Sequence, residues 1–317
     1  MEFGLHVGTR GAAGKPEGLR TIALTAQALG FAHIGLSDHV VIATDVDSWY
    51  PYTDNGKWFA QDSGYCLEQI SLLNFLAACT ESIRLLSSVM VVPYRHPVLT
   101  AKMLATADIM SNGRLTVGIG AGWMAEEMRL LDTPPFAERG KVTDEYIQAF
   151  RNLWTTSEPE FHGKYVDYDH LKFEPKPVQK PHPPLWVGGE SRPARRRAAH
   201  LGDAWYPVSN NPGARMDTAQ RFGNAFDNVR QMAAEAGRDP TNIHAALLAI
   251  GYRLEADAGS GTERRIFTGS AQAIIDDIGQ YRDRDLKHMI ISFESDDLHQ
   301  SIDTIEAFAA QIMPAFG

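Results

Sequence analysis

Cysteine is nearly absent from this chain of 317 residues: Cys66 and Cys79 are the only two. So small a number excludes a disulfide framework and a cysteine-rich metal site. Long apolar runs are missing too, and no stretch reaches the length needed to span a bilayer. The opening residues Met1-Glu2-Phe3-Gly4-Leu5 lack the basic region and apolar core of a secretory leader. Positive charge is in deficit. A formal net charge of -9 argues against nucleic acid or an anionic membrane surface as partner. It leaves room for an anionic small ligand, since local basic groups can still build a site. What remains is the ordinary composition of a globular enzyme, 44% hydrophobic and 22% charged, with the cytoplasm as its expected location.

Short apolar runs alternate with longer segments of helical period. The runs Phe3–Val7, His33–Ser37, Arg84–Val92, Leu115–Ile119, Leu185–Gly188, Ala204–Val208, His244–Tyr252 and His288–Phe293 read as strands. Several are almost continuously apolar, as parallel strands covered on both faces should be. Helical patterns follow each, at residues 17–29, 68–78, 98–110, 142–154, 193–200, 214–236, 271–283 and 298–312. Ser270 and Asp297 stand where N-caps belong. About eight βα units in a chain somewhat above ~250 residues predict a (β/α)8 TIM barrel in one domain, residues 1–317. A doubly wound sheet is disfavoured because no dinucleotide-binding glycine fingerprint follows the first strand. Two insertions interrupt the period. Residues 40–65, after the second strand, carry Trp49-Tyr50-Pro51-Tyr52 and Trp58-Phe59, an aromatic content that favours an ordered lid. Residues 158–184, before the fifth strand, begin with a hairpin-like alternation and end in Pro175-Lys176-Pro177.

In such a barrel, reactive groups gather at the carboxyl ends of the strands. Ser37-Asp38-His39 ends the second strand, and imidazole can exchange a proton near neutral pH. His39 is therefore the candidate acid–base group; the alternative is a residue that merely caps its strand. Ser88-Val89 interrupts the third strand with a polar residue, either a bulge or ligand contact or a hydroxyl bonded to nearby backbone. Gly118, Gly120 and Gly122 bare the end of the fourth strand. Trp123 beyond them could stack on a planar ring or pack into the core, and Glu127 could cap a helix or hold loop backbone. Gly188-Gly189-Glu190-Ser191-Arg192-Pro193 joins a strand to a helix start, where free N–H groups hold anions. The run Arg195-Arg196-Arg197 reads as a solvated helix face. His6, His33, His39 and His96 lie on different strands without helical metal-ligand spacing or a carboxylate cluster, so no catalytic metal is expected.

These segments together resemble the bacterial luciferase-like superfamily of flavin and deazaflavin barrels. The resemblance rests on Ser37-Asp38-His39, Ser88-Val89, His96-Pro97 with Ala101-Lys102 and Asp108, Ser111-Asn112-Gly113-Arg114, the glycines from Gly118 to Gly122, the run from Pro183 to Gly189, and Gly202-Asp203. Ser-Asp-His at the second strand looks like the branch that uses coenzyme F420, an anionic 5-deazaflavin; FMN is the alternative. The resemblance implies His39 as catalytic group. It implies Asp38, Ser88, Val89, Ala121, Gly122, Glu127, Gly188, Gly189, Ser191 and Arg192 around the cofactor, with a bulged non-prolyl cis peptide at Ser88-Val89. Trp49, Tyr50 and Trp123 would face a small-molecule substrate, and the protein would be a homodimer. Because deazaflavins react poorly with oxygen, a dehydrogenase or reductase is implied; with FMN, an oxygen-dependent monooxygenase. The chain departs from the sugar-phosphate dehydrogenase of this branch. Trp123 replaces a glutamate, and Ser209-Asn210-Asn211-Pro212 stands where a phosphate-gripping lysine is used, so a larger, less charged substrate is implied.

Overall fold

Each apolar run becomes a strand of one closed parallel barrel in the computed structural model, which describes residues 1–255 and 264–317. In chain order the strands are β1 (Glu2–Val7), β2 (His33–Leu36), β3 (Arg84–Val91), β4 (Leu115–Gly120), β5 (Phe161–His162), β6 (Asp167–Tyr168), β7 (Leu185–Gly188), β8 (Ala204–Tyr206), β9 (His244–Ala249), β10 (Arg253–Leu254), β11 (Thr268–Gly269) and β12 (Leu286–Ser292). The barrel runs β1-β12-β9-β8-β7-β4-β3-β2, every pair parallel, with β2 closing on β1. This is a (β/α)8 TIM barrel, as the spacing predicts. β5 and β6 form the expected antiparallel hairpin outside it.

The helices are α1 (Pro16–Ala28), α2 (Gln69–Cys79), α3 (Pro97–Met110), α4 (Ala125–Leu130), α5 (Arg139–Thr155), α6 (Arg192–Leu201), α7 (Ala219–Glu235), α8 (Ala271–Arg282) and α9 (Leu298–Gln311). Ser270 and Asp297 cap α8 and α9 through side-chain bonds to backbone N–H groups. α7 starts five residues later than its apolar pattern, because Thr218 supplies the cap. α4 was not foreseen; six residues give too few turns for a period to show. No helix among the described residues is long and apolar enough to cross a membrane.

Alternation along the strands sorts side chains into two cores. One alternate set, including Phe3, Leu5, Ile34, Val117 and Ile291, faces the helices. Leu86, Trp186, Ala204, Tyr206, Ala246, Leu248 and Ile290 fill the barrel interior. At β3 the register with β4 slips between Ser87 and Met90, and the Ser88–Val89 peptide is cis, where the bulge was expected. Gly118 lets the two strands close there: a Cβ at position 118 would lie 2.0 Å from the Ser87 carbonyl oxygen.

Two alanine substitutions should therefore have opposite effects. Gly118→Ala forces backbone apart and should cost about 1–3 kcal/mol or more. Gly279→Ala, inside α8 with no atom within 4 Å of its Cβ, should add about 0.5–1 kcal/mol by helix propensity. Urea denaturation of both variants reads the difference; equal stabilities would contradict the packing described.

Candidate active site

The carboxyl ends of the strands open into a cavity of about 700 Å³, within the range that small-molecule sites occupy. His39 lines it, placed by the end of β2 and almost fully buried. Its Nδ1 donates to Glu127 Oε2 at 2.7 Å, since a carboxylate can only accept. That bond leaves Nε2 as the nitrogen able to exchange a proton with a ligand. Trp58 lies against the imidazole at 4.4 Å between ring centroids and Trp123 meets it edge-on at 6.1 Å.

Glu127 itself sits behind this imidazole in the first turn of α4 and is wholly buried. Besides His39 it accepts from Tyr94 O–H at 2.7 Å, Val40 N–H at 2.7 Å and Val41 N–H at 3.2 Å. Burial and the adjoining carboxylate hold the Tyr94 phenol far above its ordinary range, so it stays a donor. The expectation that Glu127 touches cofactor is corrected: it holds loop backbone and orients the imidazole, and does not line the cavity. Asp38 lines the cavity, yet both carboxylate oxygens are committed. They take a two-pronged contact from Arg95 at 2.8 and 2.9 Å, and Oδ2 also accepts from Val91 N–H at 2.9 Å. Arg95 continues to Glu68, the cap of α2, so this network ties β2, β3 and α2 together.

Ser88, Val89, Ala121, Gly122, Gly188, Gly189 and Ser191 all line the cavity. Ser88 Oγ is bonded to Tyr206 O–H at 2.9 Å and to His6 Nδ1 at 3.1 Å, which extends to Glu294 at 3.1 Å from His6 Nε2. Burial opposes ionisation of Glu294, but His6 and Arg10 outweigh it and lower its pKa. At the start of α6 the Ser191 hydroxyl accepts from Ala194 N–H, and Pro193 has no N–H to offer. Arg192 is corrected: it is exposed and lies outside the cavity. Arg197 is corrected as well, since it is 6% exposed, lines the cavity and is paired with Asp144 at 2.5 Å. Its spacing from Ala194 and Ala198, three and one residues away on one helical face, was the available signal. Arg10, in the loop after β1, and Arg139, the first residue of α5, also line the cavity, and neither carries a local sequence pattern that marks it.

The loop after β2 is ordered across the mouth. Ser48 Oγ accepts from Ala125 N–H at 2.9 Å, and Glu126 accepts from Asp47 and Ser48 N–H. Tyr50 meets Trp123 at 5.0 Å and Tyr52 at 5.4 Å; these three, with Trp58 and Phe59, line the cavity. Burial pushes both tyrosine phenols up, keeping them neutral. Trp49 is corrected: it is 64% exposed and packs over Gly56 outside the cavity.

A family profile described as luciferase-like monooxygenase matches residues 1–252. An FMNH(2)-dependent dimethylsulfone monooxygenase of Pseudomonas putida is 32% identical over 172 residues, covering 54% of this chain and 45% of that one. The match thus spans less than half of that relative's length. Monooxygenase RslO1 from Streptomyces bottropensis superposes over 100% of both chains with a TM-score of 0.75 at 22% identity. An F420-dependent secondary alcohol dehydrogenase, solved with an F420-acetone adduct, covers 100% of this chain and 99% of its own with a TM-score of 0.77 at 18% identity. At such identities the two structures share the fold.

Four donors converge on one buried carboxylate, and removing it strands all of them. Glu127→Ala should destabilise the protein by about 2–4 kcal/mol in urea denaturation, the cost of buried donors left without an acceptor. Glu127→Gln, which keeps the volume and one acceptor, should lose less. A Glu127→Ala protein as stable as the parent would contradict the clamp.

Proposed function

Because the chain belongs to the luciferase-like monooxygenase family, we propose that it is an oxidoreductase that binds coenzyme F420 at the barrel mouth and acts on an uncharged organic substrate. The observation that carries this reading is the His39–Glu127 pair, an oriented imidazole with one nitrogen left for the cavity. The bound deazaflavin would supply hydride chemistry at one ring carbon. Every other task falls to the chain's own residues.

The cavity fits a planar, anionic group on two counts. Its walls at Gly120, Gly122, Gly188 and Gly189 are bare, and a Cβ at Gly188 would crowd Val89 Cγ1 at 3.1 Å and the Ile119 carbonyl at 3.2 Å. Among the arginines that line the same space, Arg10 is paired with Glu294 and Arg197 with Asp144, whereas Arg139 bonds to the Gly122 and Phe136 carbonyls and keeps its charge for an anion. Arg139, Arg197, Gly189 and Ser191 would hold the phosphate-bearing tail at the start of α6, with Ser88, Val89, Ala121 and Gly122 beside the ring. His39 would take or give the substrate proton at Nε2, while Glu127 steadies Nδ1 and stabilises the charged imidazolium. Tyr50, Tyr52, Trp58 and Trp123 would shield the reacting groups from water and admit a substrate without charge.

FMN with oxygen is the second reading, favoured by the sulfone monooxygenase relative of Pseudomonas putida. Anaerobic fluorescence titration with each cofactor separates the two. F420 should bind at micromolar concentration or tighter; tight binding of reduced FMN with none of F420 would replace the first reading with the second. His39→Asn should lower kcat by about 10²–10⁴ while cofactor affinity changes only a few-fold. Unchanged turnover in that variant would remove His39 from the chemistry.

A further inference from the structure

The opposite end of the barrel holds a second group of side chains that the mouth does not use. Glu2 opens β1, His33 opens β2 and His288 lies early in β12, three adjacent strands of the barrel order. Glu2 and His288 are register partners, while His33 is paired with Gly4, two residues along β1 on the same face. One donor atom of each of the three residues lies within 4.8 Å of those of the other two.

Two features set this cluster apart from an ordinary ion pair. First, both histidines are almost fully buried, and Nδ1 of each lacks a hydrogen-bond partner among the described residues. Buried imidazole nitrogens are rarely left so. Second, His288 Nδ1 comes within 2.9 Å of Glu2 Oε2 without the alignment of a hydrogen bond. Such an approach suits two donor atoms that share a third atom. The Trp186 ring roofs the group, 4.9 Å from the His33 ring and 4.7 Å from His288. Glu2 is half-exposed and gives the cluster its access to solvent.

We propose that Glu2, His33 and His288 form a binding site for a divalent transition-metal ion of the Zn2+ type at the amino-terminal end of the barrel. Two imidazoles and one carboxylate are a donor set that such ions prefer over Mg2+ or Ca2+, which take oxygen. His244, whose ring lies 5.9 Å from that of His288, is the nearest further imidazole; otherwise water completes the shell. Placed away from the mouth, the ion would join three strand ends and stabilise the barrel rather than serve the reaction.

The test uses tag-free, chelator-treated full-length protein, titrated calorimetrically with ZnCl2 at neutral pH and assayed for retained metal after desalting. One equivalent per chain should bind at micromolar concentration or tighter and raise Tm, with no response to MgCl2. Glu2→Gln changes a half-exposed position and should fold normally; His288→Gln keeps the volume of the second ligand. Each should weaken Zn2+ by more than the roughly 10–100-fold that loss of a residue supporting a metal ligand costs, and abolish the Tm rise. Absence of Zn2+ binding to the parent protein, or equal affinity and stoichiometry in both variants, would overturn the proposal.

Discussion

The architecture of the mouth depends on one buried carboxylate. Glu127 gathers an imidazole, a phenol and two backbone N–H groups from segments separated by more than thirty residues in sequence. Met128 packs the same short helix against Val91 and Tyr94, and the carboxylate fixes its position further by being the acceptor that all four donors need. Its burial is costly unless every lone pair is used. The same requirement therefore fixes the entry of the loop after β2, the tautomer of His39 and the position of Tyr94. A parallel device holds the neighbouring strand end, where Asp38 joins Arg95 and the Val91 amide. The site is thus framed by two saturated carboxylates, and the residues facing the cavity are freed from framing.

Much of the barrel is legible in the sequence because its strands are covered on both faces. Runs such as Leu115–Ile119 carry no polar residue to blur their limits apart from Thr116, and their spacing sets the fold class. Glycines and Ser-Asp-His are likewise readable as a mouth, since strand ends can be located before side chains are placed. What escapes is orientation. Arg192 and Arg197 belong to one helix, yet about 100° per residue turns them roughly 140° apart, so one faces solvent and the other the cavity. Trp49 and Tyr50 are adjacent in a loop and project to opposite sides. Arg10 and Glu294 reach the cavity from loops, Arg139 from the start of α5 and His6 from a strand, none with a local pattern of its own. Such placements are decided by tertiary packing, which a single chain does not display to a linear reading.

The base of the barrel illustrates the same limit in another form. Read along the chain, Glu2, His33 and His288 are scattered and His33 looks like one more strand residue. Register supplies the missing relation: parallel pairing of β1 with both β2 and β12 sets all three on the inner surface at one level. Histidines whose sequence context is apolar and whose neighbours are far apart acquire a chemical setting only when the sheet closes.

Trp186 stands between the two ends. Its indole meets the Tyr206 ring in a T-shaped contact at 5.5 Å, and Tyr206 is bonded to Ser88 in the wall of the mouth. The same ring lies tilted against His33 and His288 below. A single aromatic plate therefore serves as ceiling for one chamber and as part of the floor beneath the other. Selection can remodel either compartment with some independence, but any residue that replaces the plate must satisfy both tenants at once.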